Sequence, residues 1–238
     1  MHKWPKPMKI LSEKEEMARD TFMKLWHETL PKKYGVIEKF NHRYPQRSKK
    51  KTRERILEIG AGLGEHIHYE VPDWKEYCCV EMRPEMAEVI ANKYGSGVKV
   101  VVQDCQKEMP FENDYFDRVL AIHVLEHLPN LPACIKEIWR VLKKRDGLFT
   151  ICIPCEGGLA YGIARGISAK RLFQKHFPDL DYEKVVVANE HINLPGEIIV
   201  ETGKFFHIVG KRFFPLILPW TNLNLVIGMS LTPKKPLG

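Results

Sequence analysis

Three glycines at alternate positions follow a short apolar run. Residues 56–59 predict a buried strand, and Gly60, Gly62 and Gly64 predict a tight turn directly after it. Because glycine has no Cβ, such a turn lets the backbone approach a ligand closely. The next segment can become helical, and a helix start presents free N–H groups to a bound ligand. The pattern therefore predicts a nucleotide-type binding corner at the carboxyl end of the first strand.

Two acidic residues follow later apolar runs, at places where a nucleoside would need acceptors. Glu81 follows the predicted strand 77–80 and lies about 20 residues after Gly60, the usual offset of a ribose-binding acid in such folds. We expect its carboxylate to accept hydrogen bonds from both ribose hydroxyls. Asp104 follows the predicted strand 98–102, and a carboxylate there suits an adenine amino group because it only accepts. An ordinary surface position is the alternative interpretation of Glu81.

Two histidines lie where a proton could be moved. His123 directly follows the predicted fourth strand, 118–122, and His191 lies near the end of a long segment between core elements, 155–195. A histidine that acts as a general base accelerates attack by a hydroxyl group by ~10²–10⁴-fold. Either histidine could instead form part of a pocket wall without moving a proton. Both roles stay open for both residues.

The elements that would position these residues alternate between strand and helix. Five apolar runs with helical patterns between them predict parallel strands covered by helices on both faces. Two further strands near the C-terminus are joined by a short connection, so they can pair only antiparallel. The sequence therefore predicts an α/β fold with a doubly wound, Rossmann-like, seven-stranded sheet, mostly parallel with a reversed last strand. The predicted strands cover residues 56–59, 77–80, 98–102, 118–122, 148–153, 205–214 and 223–231.

Helices are predicted ahead of the sheet. A capping box at residues 12–15 begins a helix that we expect to end at Pro31. A shorter helical piece is expected at 34–40. His42 and Tyr44 follow it and are candidates for reaching the ligand pocket. Simple packing beside the sheet is the alternative for both.

The chain divides into two parts by composition. Residues 1–52 are predicted to form an N-terminal helical segment and a basic connector, and residues 53–238 a domain with a cap insertion at about 155–195. The connector, 47–55, is rich in lysine and arginine and could bind nucleic-acid phosphates. It leads into the amino-terminal end of the first strand, whereas ligands bind beyond the carboxyl ends. We therefore favour a solvated link.

Taken in order, these motifs resemble one enzyme family. The series ILEIGAGLG, VEM, QDCQKEMPFENDYFDRV, HVLEHL and EIWRVLKKRDGLFTICIP is similar to the class I S-adenosylmethionine-dependent methyltransferases, over about residues 53–154. The closest group is the broad small-molecule set that includes ubiquinone-pathway and sugar methyltransferases. The resemblance implies that S-adenosylmethionine is the cofactor. It places the cofactor against Glu58, Gly60, Ala61, Gly62, Glu81, Met82, Asp104, Cys105 and His123.

The resemblance also implies an activity. Methyl transfer from a sulfonium is a single in-line displacement, which depends mainly on orientation. We expect O-methylation of a sugar, lipid-linked or secondary-metabolite hydroxyl. RNA ribose 2'-O-methylation is the alternative, because the net charge is +7, and a non-catalytic cofactor-binding module is a third. Methylation of a flipped base is disfavoured, since the fourth strand ends in Ile-His-Val-Leu rather than an Asn-Pro-Pro-Tyr-type motif.

Three residues after the fourth strand have a metal-like spacing. His123, Glu126 and His127 resemble the Glu-x-x-Glu-His metal set of some ubiquinone-pathway and small-RNA methyltransferases, with His191 as a fourth ligand. The first position here is histidine, and Glu-His followed by leucine is widespread in family members without a metal. We predict no bound metal.

The amino-acid composition limits the possible disulfides, zinc sites and cellular location of the protein. The six cysteines show no disulfide-type framework, and Cys152-x-x-Cys155 lacks the second pair that a zinc site would need. No run approaches the ~20 apolar residues of a membrane span, and the N-terminus lacks the apolar region of a signal peptide. We therefore predict a cytoplasmic protein without a membrane span, whose partner is a small-molecule acceptor. The oligomeric state is left open.

Overall fold

The computed structural model describes residues 4–33, 35–47 and 54–235 of the chain. Most of the basic connector therefore lies outside the described residues, and its role as a solvated link stays a prediction. The strands are β1 Arg55–Ile59, β2 Glu76–Glu81, β3 Lys99–Val102, β4 Arg118–Ile122, β5 Leu148–Pro154, β6 Phe206–Phe214 and β7 Val226–Pro233.

These strands form one seven-stranded sheet in the order β3-β2-β1-β4-β5-β7-β6. The strands β1 to β5 pair in parallel, and β7 runs antiparallel to both β5 and β6. The predicted mostly parallel sheet with a reversed last strand is confirmed. The connections leave β1 in opposite directions, so the crevice at the carboxyl ends of β1 and β4 is where a ligand belongs.

The helices surround this sheet. They are α1 Glu13–Lys33, α2 Gly35–Arg47, α3 Pro84–Tyr94, α4 Leu131–Val141, α5 Leu159–Arg165, α6 Arg171–His176, α7 Ala188–Glu190 and α8 Pro195–Phe205. The predicted cap consists of α5 to α7, with π-helical turns at 166–170 and 183–187. Across the described parts of the chain, every helix is too short or too polar to cross a lipid bilayer.

The central strands are buried on both faces, which explains their continuous apolar runs. Leu57 and Ile59 of β1 belong to one apolar cluster. Ile56, together with Cys79 and Leu120 of the neighbouring strands, belongs to a second cluster. Because successive strand side chains point to opposite faces, these clusters lie on the two sides of the sheet. All six cysteines are buried free thiols.

Helix α2 is longer than the predicted piece at 34–40, because it continues through Pro45 to Arg47. A proline inside a helix leaves the carbonyl four residues earlier without its usual N–H partner. The thiol of Cys152 in β5 donates a hydrogen bond to that carbonyl, the oxygen of Asn41, at 3.3 Å. The sheet therefore supplies the partner that the helix itself lacks.

Tertiary packing also holds α2 in place. The ring of Tyr44 packs against Gly228 of β7, where a Cβ would approach the ring to 2.5 Å. The hydroxyl of Tyr44 is 3.1 Å from the hydroxyl of Ser230. Phe40 packs on Phe214, with ring centroids 5.1 Å apart. These contacts outweigh the weak helical signal of residues 41–47.

Two further boundaries differ from the sequence prediction. Helix α1 continues through Pro31 to Lys33, so the predicted end was wrong; a proline this close to the end of a helix costs one hydrogen bond. The segment after the glycine turn makes only a 3₁₀ turn, His66–Tyr69. His66 is buried there, 3.3 Å from the His42 ring of α2, which occupies the neighbouring space.

Candidate active site

The glycine turn lies at the carboxyl end of β1. Gly60 and Gly62 have φ angles of +60° and +58°, which residues with a Cβ rarely adopt. A Cβ on Gly60 would lie 2.5 Å from Cγ2 of Val124, in the segment after β4. The N–H of Gly60 donates to the carbonyl of Val80 at 2.7 Å. Close approach to two neighbouring segments thus requires glycine at position 60.

Glu81 ends β2 beside this turn. Its side chain is buried; Oε2 accepts from the Gly62 N–H at 2.9 Å, and Oε1 accepts from the Arg83 N–H at 3.0 Å. A carboxylate has about four acceptor sites, so Glu81 can shape the turn and still accept from a ligand. Met82 lies next to it and is largely exposed.

Asp104 and Cys105 follow β3, at the same edge of the sheet. Oδ1 of Asp104 accepts from the backbone and side-chain N–H groups of Gln106, both at 2.9 Å. Cys105 is buried, with its sulfur 3.7 Å from that of Cys134. A second hydrogen-bond network therefore fixes the loop that follows β3.

A cavity of about 350 Å³ opens beside the glycine turn. Glu58, Gly60 and Gly62 line it from the sheet side. His123 and His191 also line it, although they are far apart in the chain. The structure therefore brings both predicted histidines to the glycine turn.

The other cofactor candidates lie differently. Ala61 lines the cavity, whereas Glu81, Met82, Asp104 and Cys105 do not. Those four belong to the carboxyl ends of β2 and β3, beside the cavity along the sheet edge. A nucleoside that reached Glu81 and Asp104 would thus extend away from the cavity, across the glycine turn.

The remaining walls come from the N-terminal helices and the cap. His42 reaches the cavity, whereas Tyr44 packs on β7 instead. Residues from outside the sheet that line the cavity include Phe22, Trp26, Ile37, His42, Tyr161 and Arg165.

His123 has an unusual backbone. Its φ angle is +53°, which turns the side chain from the end of β4 into the cavity. Nδ1 is 3.1 Å from Oε1 of Glu126, while Nε2 has no hydrogen-bond partner among the described residues. Burial alone would lower the pKa of His123, but the hydrogen bond and charge of Glu126 outweigh it and raise the pKa above its usual value.

The pKa of His127 is shifted in the opposite direction. Burial, reinforced by the neighbouring His191, lowers the pKa of His127 despite the nearby charge of Glu126. Its Nε2 is 3.9 Å from Glu126, and the His127 and His191 rings meet edge to face with centroids 5.2 Å apart. Glu126 itself is fully buried; burial would raise its pKa, but His123 and His127 lower it below the ordinary value.

His191 is held by a second carboxylate. Its Nδ1 is 2.7 Å from Oε2 of Glu156, which directly follows β5 and the first cap residue. The guanidinium of Arg165 lies 2.5 Å from the other oxygen of Glu156. Burial would raise the pKa of Glu156, but His191 and Arg165 lower it below its usual range. An ionised Glu156 fixes the tautomer in which Nδ1 of His191 carries the proton, so Nε2 can accept one.

The structure adds residues that the sequence interpretation missed. Glu156 was not identified, since its partner lies in a different part of the cap and no local spacing links them. His127 was considered only as a metal ligand. In the part of the chain that the structure describes, no group of three or more His, Cys, Asp and Glu residues is arranged to hold a metal ion.

The residues around the glycine turn fit a positively charged nucleoside cofactor. A Cβ on Gly60 would meet Val124, and the Glu81 carboxylate lies beside the turn, where it accepts from the Gly62 N–H. Glu58 is buried under the turn and lines the cavity; burial raises its pKa to about 8, although Tyr77 donates a hydrogen bond to it. A cation placed near Glu58 would favour the ionised carboxylate.

Comparison with known proteins supports this assignment. Residues 57–151 match a family model described as a methyltransferase domain. The sterol 4-C-methyltransferase of Caenorhabditis elegans is 40% identical over 93 residues, 37% of this chain and 27% of that protein. The (S)-coclaurine N-methyltransferase of Papaver somniferum is 28% identical over 124 residues, 50% of this chain and 34% of that protein. The matched region thus spans only 27% and 34% of these relatives' lengths.

A solved structure extends the likeness to the rest of the fold. An S-adenosylmethionine-dependent methyltransferase of Thermotoga maritima superimposes with a TM-score of 0.62 and 18% identity. The match covers 92% of this chain and 100% of that one. The likeness in fold therefore extends over most of the chain, well beyond residues 57–151.

Proposed function

We propose that this chain, which carries a class I methyltransferase domain with S-adenosylmethionine as its cofactor, methylates a small molecule with an apolar body and a nucleophilic group such as a hydroxyl. The observation that carries the proposal is the cavity beside the glycine turn. Its walls are mostly apolar, while His127 and the His191–Glu156 pair meet at one side.

The apolar walls suit the body of the acceptor. Phe22 and Trp26 of α1, Ile37 of α2 and Val186 of the cap line the cavity. Mostly apolar pockets with a few placed polar groups are typical of small-molecule sites. The N-terminal segment 1–52 would then be part of the acceptor site as well as a separate segment of the chain.

The histidines suit the reacting end. We assign the general base to Nε2 of His191, because Glu156 holds the opposite nitrogen at 2.7 Å. In the proposed reaction the acceptor oxygen forms a bond to the methyl carbon, and its proton passes to Nε2 of His191. When bound, S-adenosylmethionine would supply an activated methyl group on a sulfonium, whose sulfur would be left as a neutral thioether. His123, with its raised pKa, then serves to hold the site rather than to take the proton.

The cofactor residues follow the sheet edge. We assign the backbone of Gly60, Ala61 and Gly62 to the amino-acid part of the cofactor, Glu81 to the ribose hydroxyls and Asp104 to the adenine amino group. The predicted contacts of Glu58, Met82, Cys105 and His123 stay proposals of the same kind.

The acceptor class can be narrowed further. Sugars need polar partners around most of their surface, and the mostly apolar walls favour a lipid-linked or other apolar hydroxyl compound instead. A sterol is named as the acceptor of the Caenorhabditis elegans relative, and a sterol has an apolar body. RNA ribose methylation is the second candidate, supported by the net charge of +7.

The test is to follow labelled methyl groups. The purified protein would be incubated with methyl-labelled S-adenosylmethionine and an extract of the cells that produce it. We expect label in organic-soluble small molecules, and we expect the His191→Ala variant to lose it. Label recovered mainly in RNA would overturn the small-molecule proposal and leave the cofactor assignment standing.

A further inference from the structure

The cap helix α5 has two different sides. One side, with Tyr161 and Ser168 just beyond the helix, lines the cavity. The other presents Leu159, Ile163 and Ile167, which recur every fourth residue and are 65%, 58% and 73% exposed. A helix in a soluble protein normally buries its apolar side, so this exposed stripe needs a partner.

A second apolar element lies against this helix. The β6–β7 loop, residues 215–223, exposes Leu216, Leu218, Trp220 and, at 92%, Ile217. It touches the start of α5, because a Cβ on Gly158 would lie 2.7 Å from the carbonyl oxygen of a loop residue, Thr221. The two elements therefore form one surface. We call it the docking face: Leu159, Ile163, Ile167, Leu216, Ile217 and Trp220.

The two stretches of chain that form the docking face carry basic residues and no acidic ones, and Glu183, which reaches Arg165 and Lys170 from another segment, is paired with both. The sequence contains no aspartate or glutamate between Glu156 and Asp179, and none after Glu201. These two stretches supply the entire docking face. They also carry the exposed basic side chains of Arg171, Lys175, Lys211 and Arg212. An apolar face on segments with a basic excess is complementary to a surface that is apolar inside and negative at its rim.

We propose that the docking face seats this protein on an anionic lipid bilayer. Ile217 and Trp220 enter the headgroup region, where the amphipathic ring of tryptophan is favoured, and the basic side chains contact lipid phosphates. A second copy of the chain fits less well, because a two-fold contact would place the basic side chains of both copies opposite one another. This mode of attachment needs no membrane-spanning helix.

The consequence is a route for the acceptor. Helix α5 separates the docking face from the cavity, so a seated protein holds its cavity within one helix diameter, ~10 Å, of the lipid. The proposal goes beyond the methyltransferase assignment and does not depend on it, since vesicle binding can be measured without cofactor or acceptor.

Vesicle flotation tests the proposal. The purified chain is mixed with vesicles of phosphatidylcholine alone, or with about one third phosphatidylglycerol. We expect binding to the anionic vesicles, with a partition coefficient at least about tenfold above that for neutral vesicles and reduced by high salt. The Ile217→Ser/Trp220→Ser variant should lose this binding, and Lys211→Glu/Arg212→Glu should weaken it.

Matched controls make the result specific. Val71→Ser/Val89→Ser removes exposed apolar side chains on other parts of the surface and should bind like the unaltered protein. Equal thermal stability of all variants shows that they are folded. The proposal fails if no vesicle binds, or if the Ile217/Trp220 variant binds as well as the control. It also fails if that variant instead converts a dimer to a monomer, which would assign the docking face to a second copy.

Discussion

The cofactor side and the acceptor side of the cavity are built in different ways. On the proposed cofactor side, Gly60 and His123 each follow a strand and Glu81 ends one, so hydrogen-bonded register sets their positions. On the acceptor side, helices from both halves of the chain meet through side chains, such as Lys184 and Glu15 at 2.5 Å. One side is fixed by the backbone, and the other by contacts that single substitutions can change.

This difference suggests a division of labour. The cap contains two π-helical turns, 166–170 and 183–187, and such turns are frequent at functional sites. Away from the cavity, at the amino-terminal ends of β1 and β4, a buried network in which Arg118 joins Glu54 and Glu70 holds the sheet together. Substitutions in the cap should therefore alter the acceptor or its turnover, and substitutions at the sheet edge should alter the cofactor.

The largest effect is expected for the base. His191→Ala should lower the turnover number by ~10²–10⁴-fold, because the variant has no general base at this position to accept the proton of the acceptor hydroxyl. Cofactor affinity, measured by titration calorimetry, should stay unchanged, since His191 lies on the acceptor side. His176→Ala, an exposed histidine of the same cap, is the control and should keep full turnover. A parallel loss of cofactor affinity in His191→Ala would show that the two sides do not act separately.

On the other side, Glu81 should decide cofactor affinity. Glu81→Ala removes a charged acceptor and should weaken S-adenosylmethionine binding by roughly 1.5–3 kcal/mol, while Asp104→Asn should cost less because its amide oxygen still accepts. The exposed Glu85 on α3 serves as a control through Glu85→Ala. Glu81→Gln and melting curves without cofactor separate this effect from loosening of the turn. Unchanged affinity in Glu81→Ala would contradict the assignment.

A third effect should appear in the pH dependence of the free energy of unfolding. The pKa of Glu58 is about 8 in the folded protein against an ordinary value of 4.5, so the unfolded state ionises first. As the pH rises between these two values, Glu58 should lower the free energy of unfolding by up to about 1.4 kcal/mol per pH unit. Glu58→Gln should remove that fall, as measured by urea unfolding at several pH values. Bound cofactor should reduce it, because a cation favours the ionised carboxylate. Identical pH profiles for the two proteins would contradict this.

The smallest effect is expected in the basic connector. Reversing Lys49, Lys50, Lys51 and Arg53 to glutamate should leave cofactor affinity and turnover nearly unchanged, because the connector enters β1 at the end opposite the glycine turn. Long-range effects of exposed charges are screened over ~8 Å at physiological salt. If the reversal abolishes activity while the protein stays folded and binds cofactor, RNA becomes the favoured acceptor.

The sheet could be predicted because its signals are local. The run 56–59 and the glycines after it specify strand and turn within a few residues, and β4 was predicted with its observed bounds, Arg118–Ile122. Pairing the acids with strand ends needed only the rule that ligands bind at carboxyl edges. Parallel strands then place those ends at one edge without further information.

The acceptor side could not be predicted from local sequence patterns. Glu156 and His191 are 35 residues apart, and neither stands in a periodic pattern. Helix α2 runs through Pro45 because a thiol from a distant strand bonds to its free carbonyl, which no local propensity can express. The 3₁₀ turn at His66–Tyr69 replaces a helix because α2 already fills that space.

The dependence of α2 on the sheet also affects the order in which the site is completed during synthesis. Tyr44 and Ser230, whose hydroxyls meet, are 186 residues apart in the chain. Helix α2 is therefore made early by the ribosome but gains its β7 partners only when almost the whole chain has emerged. Contacts of such long sequence separation are slow to form. The cofactor edge can be assembled first, and the wall that faces the acceptor closes only as translation ends.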